Sequence, residues 1–302
     1  MDKQNGVLPD RGGGFAITLV IVGSILYSSK SLFVKHLMNI GAESGDILSV
    51  RMLWALPVYL VVIAWNLRTR PVAACDLLRM AALGLCGFWV APRLNFLGLG
   101  RTSAGLERIL IQASTAFVVL FVALRVRRFP RPVVVVSVAA SYAGMALAMS
   151  GRDEGRACAD PVGALFIVGA SVAWSLFVVG VGPLQRRMGV AFSTAVGMAA
   201  GALPALTETV IQGRGGILLS PPPAWVASVA GLVVLGTIAP SFIAQAGLAR
   251  LGPVRSSILS LTGPAVLPLI AMATIGEGMP WQQVAGLSVV LATCAAMSLR
   301  NG

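Results

Sequence analysis

Ten apolar stretches run almost end to end through this 302-residue chain, each close to the ~20 residues an α-helix needs to cross a bilayer. They lie at roughly 15–35, 46–67, 76–99, 103–124, 132–150, 161–185, 190–212, 223–248, 254–274 and 280–299, here spans 1 to 10. The links are short and hold turn formers or charges, as in Arg68-Thr69-Arg70-Pro71 and Gly151-Arg152-Asp153-Glu154-Gly155. Lipid offers no partner to bare backbone, so stretches of this length must be helices. A transmembrane barrel would need strands of ~10 residues with alternating polarity, and is excluded. Composition agrees, with 57% hydrophobic and 11% charged residues and a mean hydropathy of +0.85; a soluble domain carries about 25% charged residues. Residues 15–29 are apolar enough to suggest a signal peptide. They lack a small-residue cleavage pattern and continue past Lys30, so they read as a retained first membrane helix.

The two halves of the chain repeat each other. Ala55-Leu56-Pro57 recurs as Ala202-Leu203-Pro204, and Ala91-Pro92 as Ala239-Pro240. Gly98-Leu99 with Arg101 recurs as Gly247-Leu248 with Arg250, Ile109-Leu110 as Ile258-Leu259, and Ala148-Met149-Ser150 as Ala296-Met297-Ser298. All these offsets are 147 to 149 residues, and a constant offset marks an internal repeat. The expected division is 1–151 and 152–302, five helices each. Five is odd, so the second copy enters the membrane the other way up.

Charge placement tests this. Link 2–3 carries Arg68, Arg70 and Arg79, while its counterpart 7–8 carries Arg214 alone. Link 4–5 carries Arg125, Arg127, Arg128 and Arg131, and its counterpart 9–10 has no Lys or Arg. Arg186 and Arg187 lie in link 6–7, against Lys35 in 1–2; Arg250 and Arg255 lie in 8–9, against Arg101 in 3–4. The basic links fall on the side of Lys3, Arg11 and Arg300. By the positive-inside rule both termini are cytoplasmic, and the repeat is inverted. The net charge of +12 is thereby explained without nucleic acid, for which no zinc-finger spacing or basic helix is present. Inverted repeats are a property of secondary transporters, in which exchanging the conformations of the copies opens a central site to alternate sides.

Ten helices, two five-helix repeats and cytoplasmic termini resemble the drug/metabolite transporter superfamily. The stretch from Pro92 to Ala104 carries part of the likeness, as do the stretch from Gln245 to Ser257 and Glu277-Gly278 before span 10; the first copy has Arg128-Phe129 at that last position. Within the superfamily the chain is most similar to bacterial exporters of amino acids, including aromatic ones. The resemblance implies a multi-pass protein of the bacterial inner membrane with a small-molecule substrate and no cofactor. A monomer suffices for that cycle, and a homodimer is compatible with it.

Polar groups at membrane depth are the candidate substrate-binding residues. Lys30, in Tyr27-Ser28-Ser29-Lys30, either meets a substrate carboxylate or snorkels to an interface. Tyr27 and Trp174 are repeat equivalents that either flank one cavity or face lipid. Arg51 and Arg93 are both deep; Arg93 ranks higher because it follows Pro92, where a helix bends, with Asn95 one step on. Glu107 suits the first turn of a helix by its dipole alone, one turn before Gln112. Gln245, Ser257 and Ser260 either bind substrate or link helices. His36, the one histidine, sits at the end of span 1, and Gly197-x-x-x-Gly201 suits close helix packing.

The four cysteines are scattered and form no C-x-x-C pair, so neither a metal site nor a disulfide framework is expected. The chain has no G-x-x-x-x-G-K-[ST] loop and no H-E-x-x-H or G-x-S-x-G motif, so enzymatic chemistry is not expected. The reading is a secondary transporter exporting amino acids or similar small metabolites by alternating access. Multidrug or nucleotide-like cargo is the alternative, and an intramembrane enzyme a weaker one. Only Glu107 and Glu208 are acids near membrane depth, so ion coupling and facilitated diffusion both stay open.

Overall fold

The computed structural model describes residues 13–69, 72–102, 104–150, 160–219, 221–266 and 280–299. Every regular element among them is helical. The first half holds α1 (Gly13–Asn39), α2 (Ser44–Thr69), α3 (Ala74–Leu99), α4 (Ala104–Ile111, then Ala113–Val126) and α5 (Pro132–Ser150). The second holds α6 (Pro161–Met188), α7 (Val190–Ile211), α8 (Pro223–Leu251), α9 (Pro253–Leu259, resuming over 262–266) and α10 (Trp281–Leu299). α1, α2, α3, α6, α7 and α8 are each long and apolar enough to cross a membrane; Ala113–Val126, Pro132–Ala148 and Trp281–Ala296 are shorter apolar helices. Glu277-Gly278 lies outside the described residues, as do Lys3, Arg11 and Arg300.

Two helices expected to be continuous are broken. α4 is interrupted at Gln112 (φ −68°, ψ −15°) and α9 at Ser260 (φ −66°, ψ −15°). A ψ near −15° is tighter than α-helical geometry, and it redirects the following segment. The two breaks are 148 residues apart. The same spacing separates two π turns, Cys86–Val90 in α3 and Val234–Ile238 in α8. In each the closing bond runs five residues back, from the Ala91 N–H to the Cys86 carbonyl and from the Ala239 N–H to the Val234 carbonyl. Pro92 and Pro240 explain both. Each lacks an N–H, and its ring crowds the carbonyl four residues earlier, which forces the preceding turn wide.

Helix partners exchange between the halves. α1 packs on α8 and α6 on α3, while α2 packs on α7 and α5 on α10. The Ser49 hydroxyl near the start of α2 accepts from Thr209 Oγ1 near the end of α7, at 2.5 Å. α2 and α7, second in each half, therefore run antiparallel. α5 and α10 do likewise, since Gly144 late in α5 abuts Gly286 early in α10. Glycine marks these crossings because only a missing Cβ lets backbones approach so closely. A Cβ on Gly98 would overlap Ile167, and one on Gly247 would overlap Val20; Val20 and Ile167 are themselves 147 apart. Gly197 and Gly201 of α7 meet Gly84 and Phe88 of α3, so the G-x-x-x-G packs within the monomer. The larger buried core joins α2, α3, α6, α7 and α8 around Tyr59, Phe88, Phe177 and Phe192.

Candidate functional site

The charges that sequence places deepest come from α1 and α2. Lys30 is half-buried midway along α1, its Nζ 6.0 Å from the centroid of the Tyr27 ring one turn earlier. The π turn of α8 covers it, with Gly236 bringing that backbone against the Lys30 Cα. Arg51, two turns into α2, is 9% exposed, and its Nε is buried without a hydrogen-bond partner. Lys30 lies in the electrostatic field of both Arg51 and Glu107, and Arg51 in that of Tyr27 and Tyr59. The Tyr59 hydroxyl lies 3.1 Å from Ser241 Oγ on α8, both fully buried. Asn95 Nδ2 of α3 donates to Glu107 Oε1 of α4 at 2.9 Å, and the Asn95 Oδ1 is buried without a partner. Glu107 thus does sit in the first turn of α4, and faces this polar cluster as well.

The other expected residues fall elsewhere. Trp174 on α6 packs in an aromatic cluster, its ring centroid 6.1 Å from Phe88 and 5.4 Å from Phe177. Arg93 makes an ion pair with Glu208 of α7, at 2.6 Å. Gln112, at the break in α4, lines a cavity of about 10 Å³ beside Thr115, Ser141 and Tyr142, roughly one water in size. Thr115 Oγ1 donates to the Ser257 carbonyl at 3.5 Å, and that same carbonyl takes the Ser260 hydroxyl at 2.8 Å. The Ser257 backbone carbonyl therefore joins α9 to α4, while the hydroxyls of Ser257 and Ser260 bond to carbonyls of their own segment. His36 is exposed at the end of α1. Two members of the central cluster rise above their place in the sequence: Arg51, which ranks there below Arg93, and Tyr59, which carries no sequence signal beyond an aromatic in an apolar run. For Arg51 the signal is the same as for Lys30, a cation at spanning depth. Among the described residues no three His, Cys, Asp or Glu side chains gather to hold a metal ion.

Gln245 on α8 is buried and accepts from Gln185 Nε2 of α6 at 2.7 Å. Truncating one amide strands the other, whereas removing both together is close to neutral. Gln245→Leu alone should lower stability by about 1 kcal/mol, and Gln185→Leu with Gln245→Leu should recover most of it in a thermal unfolding series. A recovered double variant that has lost transport would give Gln245 a substrate contact; unchanged transport would leave it a helix link.

Charge pairs tie helix ends together at both ends of the molecule. At one end Arg214, in the α7–α8 link, bridges Glu43 and Asp46 at the start of α2. The hydrogen bond it donates to Glu43, then the charge of Asp46, hold its guanidinium above its usual pKa. Arg101 with Asp160 (3.4 Å) ties the α3–α4 link to the start of α6. At the opposite end Arg187, at the end of α6, meets Asp76 at the start of α3, at 3.3 Å. Acid and base thus join links of different halves at each end of the molecule.

Residues 161–299 match the EamA-like transporter family. The protein of Bacillus subtilis (strain 168) called Uncharacterized transporter YcbK is 28% identical over 288 residues, 93% of this chain and 92% of the relative. A solved structure, described only as a crystal structure of a protein, shares the fold with a TM-score of 0.73 at 18% sequence identity, over 94% of this chain and 96% of its own. These matches support a small-molecule transporter that crosses the membrane several times. They name no cargo.

Proposed function

We propose, from the premise that the second half of the chain carries the EamA-like transporter pattern, that the whole is a secondary transporter exporting small carboxylate-bearing metabolites, amino acids among them. It works by alternating access between two inverted five-helix repeats in a bacterial inner membrane, with both termini cytoplasmic. The observation that carries the mechanism is the antiparallel packing of repeat-equivalent helices, α2 on α7 and α5 on α10, which is the arrangement that inversion requires. The shared 148-residue spacing of the π turns and of the helix breaks supports the same reading. Lys30 then sits where the halves meet, under the π turn of α8, and supplies charge to a carboxylate. The drug-exporter alternative needs carboxylates in excess at the centre to hold a cation, and the described centre has the opposite sign.

Uptake of labelled amino and organic acids into liposomes holding the purified protein tests the proposal, with and without a pH gradient. Substrate-dependent flux is expected, and its absence from folded protein sinks the reading. Flux that ignores the gradient removes proton coupling. Lys30→Ala should slow transport of carboxylates by about tenfold, the loss expected when a desolvated charge pair worth about 1.4 kcal/mol disappears. Unchanged flux returns Lys30 to snorkelling.

A further inference from the structure

We infer that the substrate bound between α1, α2 and α8 carries a net negative charge, as an organic monoanion with one carboxylate and an apolar body, and that Arg51 is the second cation that holds it. The inference rests on the transporter reading above and narrows its cargo. Its first support is Arg51 itself. Four arginines nearer the helix ends have acidic partners: Arg93 with Glu208, Arg101 with Asp160, Arg187 with Asp76, and Arg214 with Glu43 and Asp46. Arg51 is more buried than any of these, yet among the described residues it has no ion pair, and its Nε has no acceptor. A buried guanidinium with an unfilled Nε donor is destabilising, and an anion that accepts from it relieves that cost. Its planar fork fits a carboxylate through two parallel bonds.

The second support is the sum of charges. Lys30 and Arg51 bring two positive charges within each other's field, and Glu107 brings one negative. The phenols of Tyr27 and Tyr59 add donors without charge. A site removed from water is most stable when its bound charges cancel. A zwitterionic amino acid leaves the excess positive charge in place, and an amine increases it. A carboxylate monoanion cancels it.

The third is the asymmetry between the halves. The repeat equivalents of Tyr27, Lys30 and Arg51, at the 147-residue offset, are Trp174, Phe177 and Met198. All three are uncharged, and Trp174 and Phe177 belong to the aromatic cluster with Phe88. The first half therefore contributes charge where the second contributes rings, and a molecule with one acidic end and one aromatic or aliphatic end matches both.

Three probes with the same phenylethyl body and different charge decide the matter: 3-phenylpropionate, phenylalanine and 2-phenylethylamine. Their binding to the purified full chain is read by calorimetry at neutral pH, and flux in liposomes is read alongside. 3-Phenylpropionate should bind about tenfold tighter than phenylalanine, with the amine weakest. Arg51→Lys, which keeps the charge, should preserve that order with weaker binding, and Arg51→Met should abolish it. Size-exclusion profiles show whether each variant is folded, and if Arg51→Met is not, the wild-type order and Arg51→Lys still decide. Equal or tighter binding of phenylalanine overturns the inference, as does a failure of 3-phenylpropionate to bind or an unaltered order in folded Arg51→Met. Anion-selective binding without flux upholds this inference and sinks the transport reading. Phenylalanine flux without anion preference does the reverse.

Discussion

Gly84→Val should leave almost no folded protein, while Gly169→Ala, in the same bundle, should melt at or slightly above the native temperature. Gly84 faces Gly197 across the α3–α7 crossing, and a Cβ there would overlap the Gly197 Cα and carbonyl rather than a flexible side-chain tip. Backbone cannot step aside as a rotamer can, so α3 must leave α7 or both must bend. Overpacking that moves backbone costs about 3 kcal/mol or more, a large share of the 5–15 kcal/mol that holds a typical protein folded. The loss should spread, because Phe88, one turn along α3, fills the groove made by Gly201 and contacts Phe177 at a centroid distance of 4.7 Å. At Gly169 of α6 a Cβ would come no closer than 3.4 Å to a Leu94 methyl, an ordinary contact, so alanine there adds mainly helix propensity, up to about 1 kcal/mol. Thermal unfolding of the two purified variants, followed by size exclusion, reads the contrast. Similar melting temperatures would mean that the crossing is looser than its geometry.

Arg214→Glu should depress transport by about tenfold, the effect of moving a two-state balance by a few RT. It sets three acids together where Glu43 and Asp46 now share one guanidinium, and the Asp46 side chain is only 3% exposed. Repulsion then acts between the α7–α8 link and the start of α2, which on the proposed alternating-access cycle separate and rejoin in each turnover. The pair swap, Asp46→Arg with Arg214→Asp, restores attraction and should restore most of the flux. If the swap transports no better than Arg214→Glu, the charges do not govern closure at this end. At the other end Arg187 is 65% exposed where it meets Asp76. Solvent screens such a pair, so Arg187→Glu should cost transport far less.

Much of the architecture was legible because lipid removes alternatives. Apolar runs of spanning length admit helices alone, and the recurrence of Ala91-Pro92 as Ala239-Pro240 marks equivalent positions. The prolines announced a disturbance in α3 and α8 but not its kind, since a kink and a π turn begin from the same missing N–H. The break at Gln112 had no proline or glycine to announce it, whereas the one at Ser260 has Pro264 four residues on, whose missing N–H leaves the Ser260 carbonyl without its helical partner. Lys30 and Tyr27 were legible through depth alone. Sequence ranks Arg93 above Arg51 on Pro92 alone and does not show the partner that distinguishes them: Glu208, 115 positions from Arg93 in sequence, comes beside it only in the fold. Gln245 and Gln185 make the same point, as two unremarkable amides until α6 and α8 bring them to 2.7 Å.

The two wide turns in α3 and α8 have a mechanical meaning beyond their shape. In a crystal such an inserted unit is a dislocation, a defect that travels by breaking one bond and making the next. A helix carrying one surplus residue has the same freedom, because sliding the defect along by one position leaves the number of hydrogen bonds unchanged. Each such step re-aims the residue that the defect passes by about 100°, the rotation of one residue, while the segments on either side keep their relation. Lys30 leans on the defect in α8 through Gly236, and Phe177 on the defect in α3 through Gly87. A glide of either defect would therefore re-aim the wall of the central site while the far ends of both helices stay anchored.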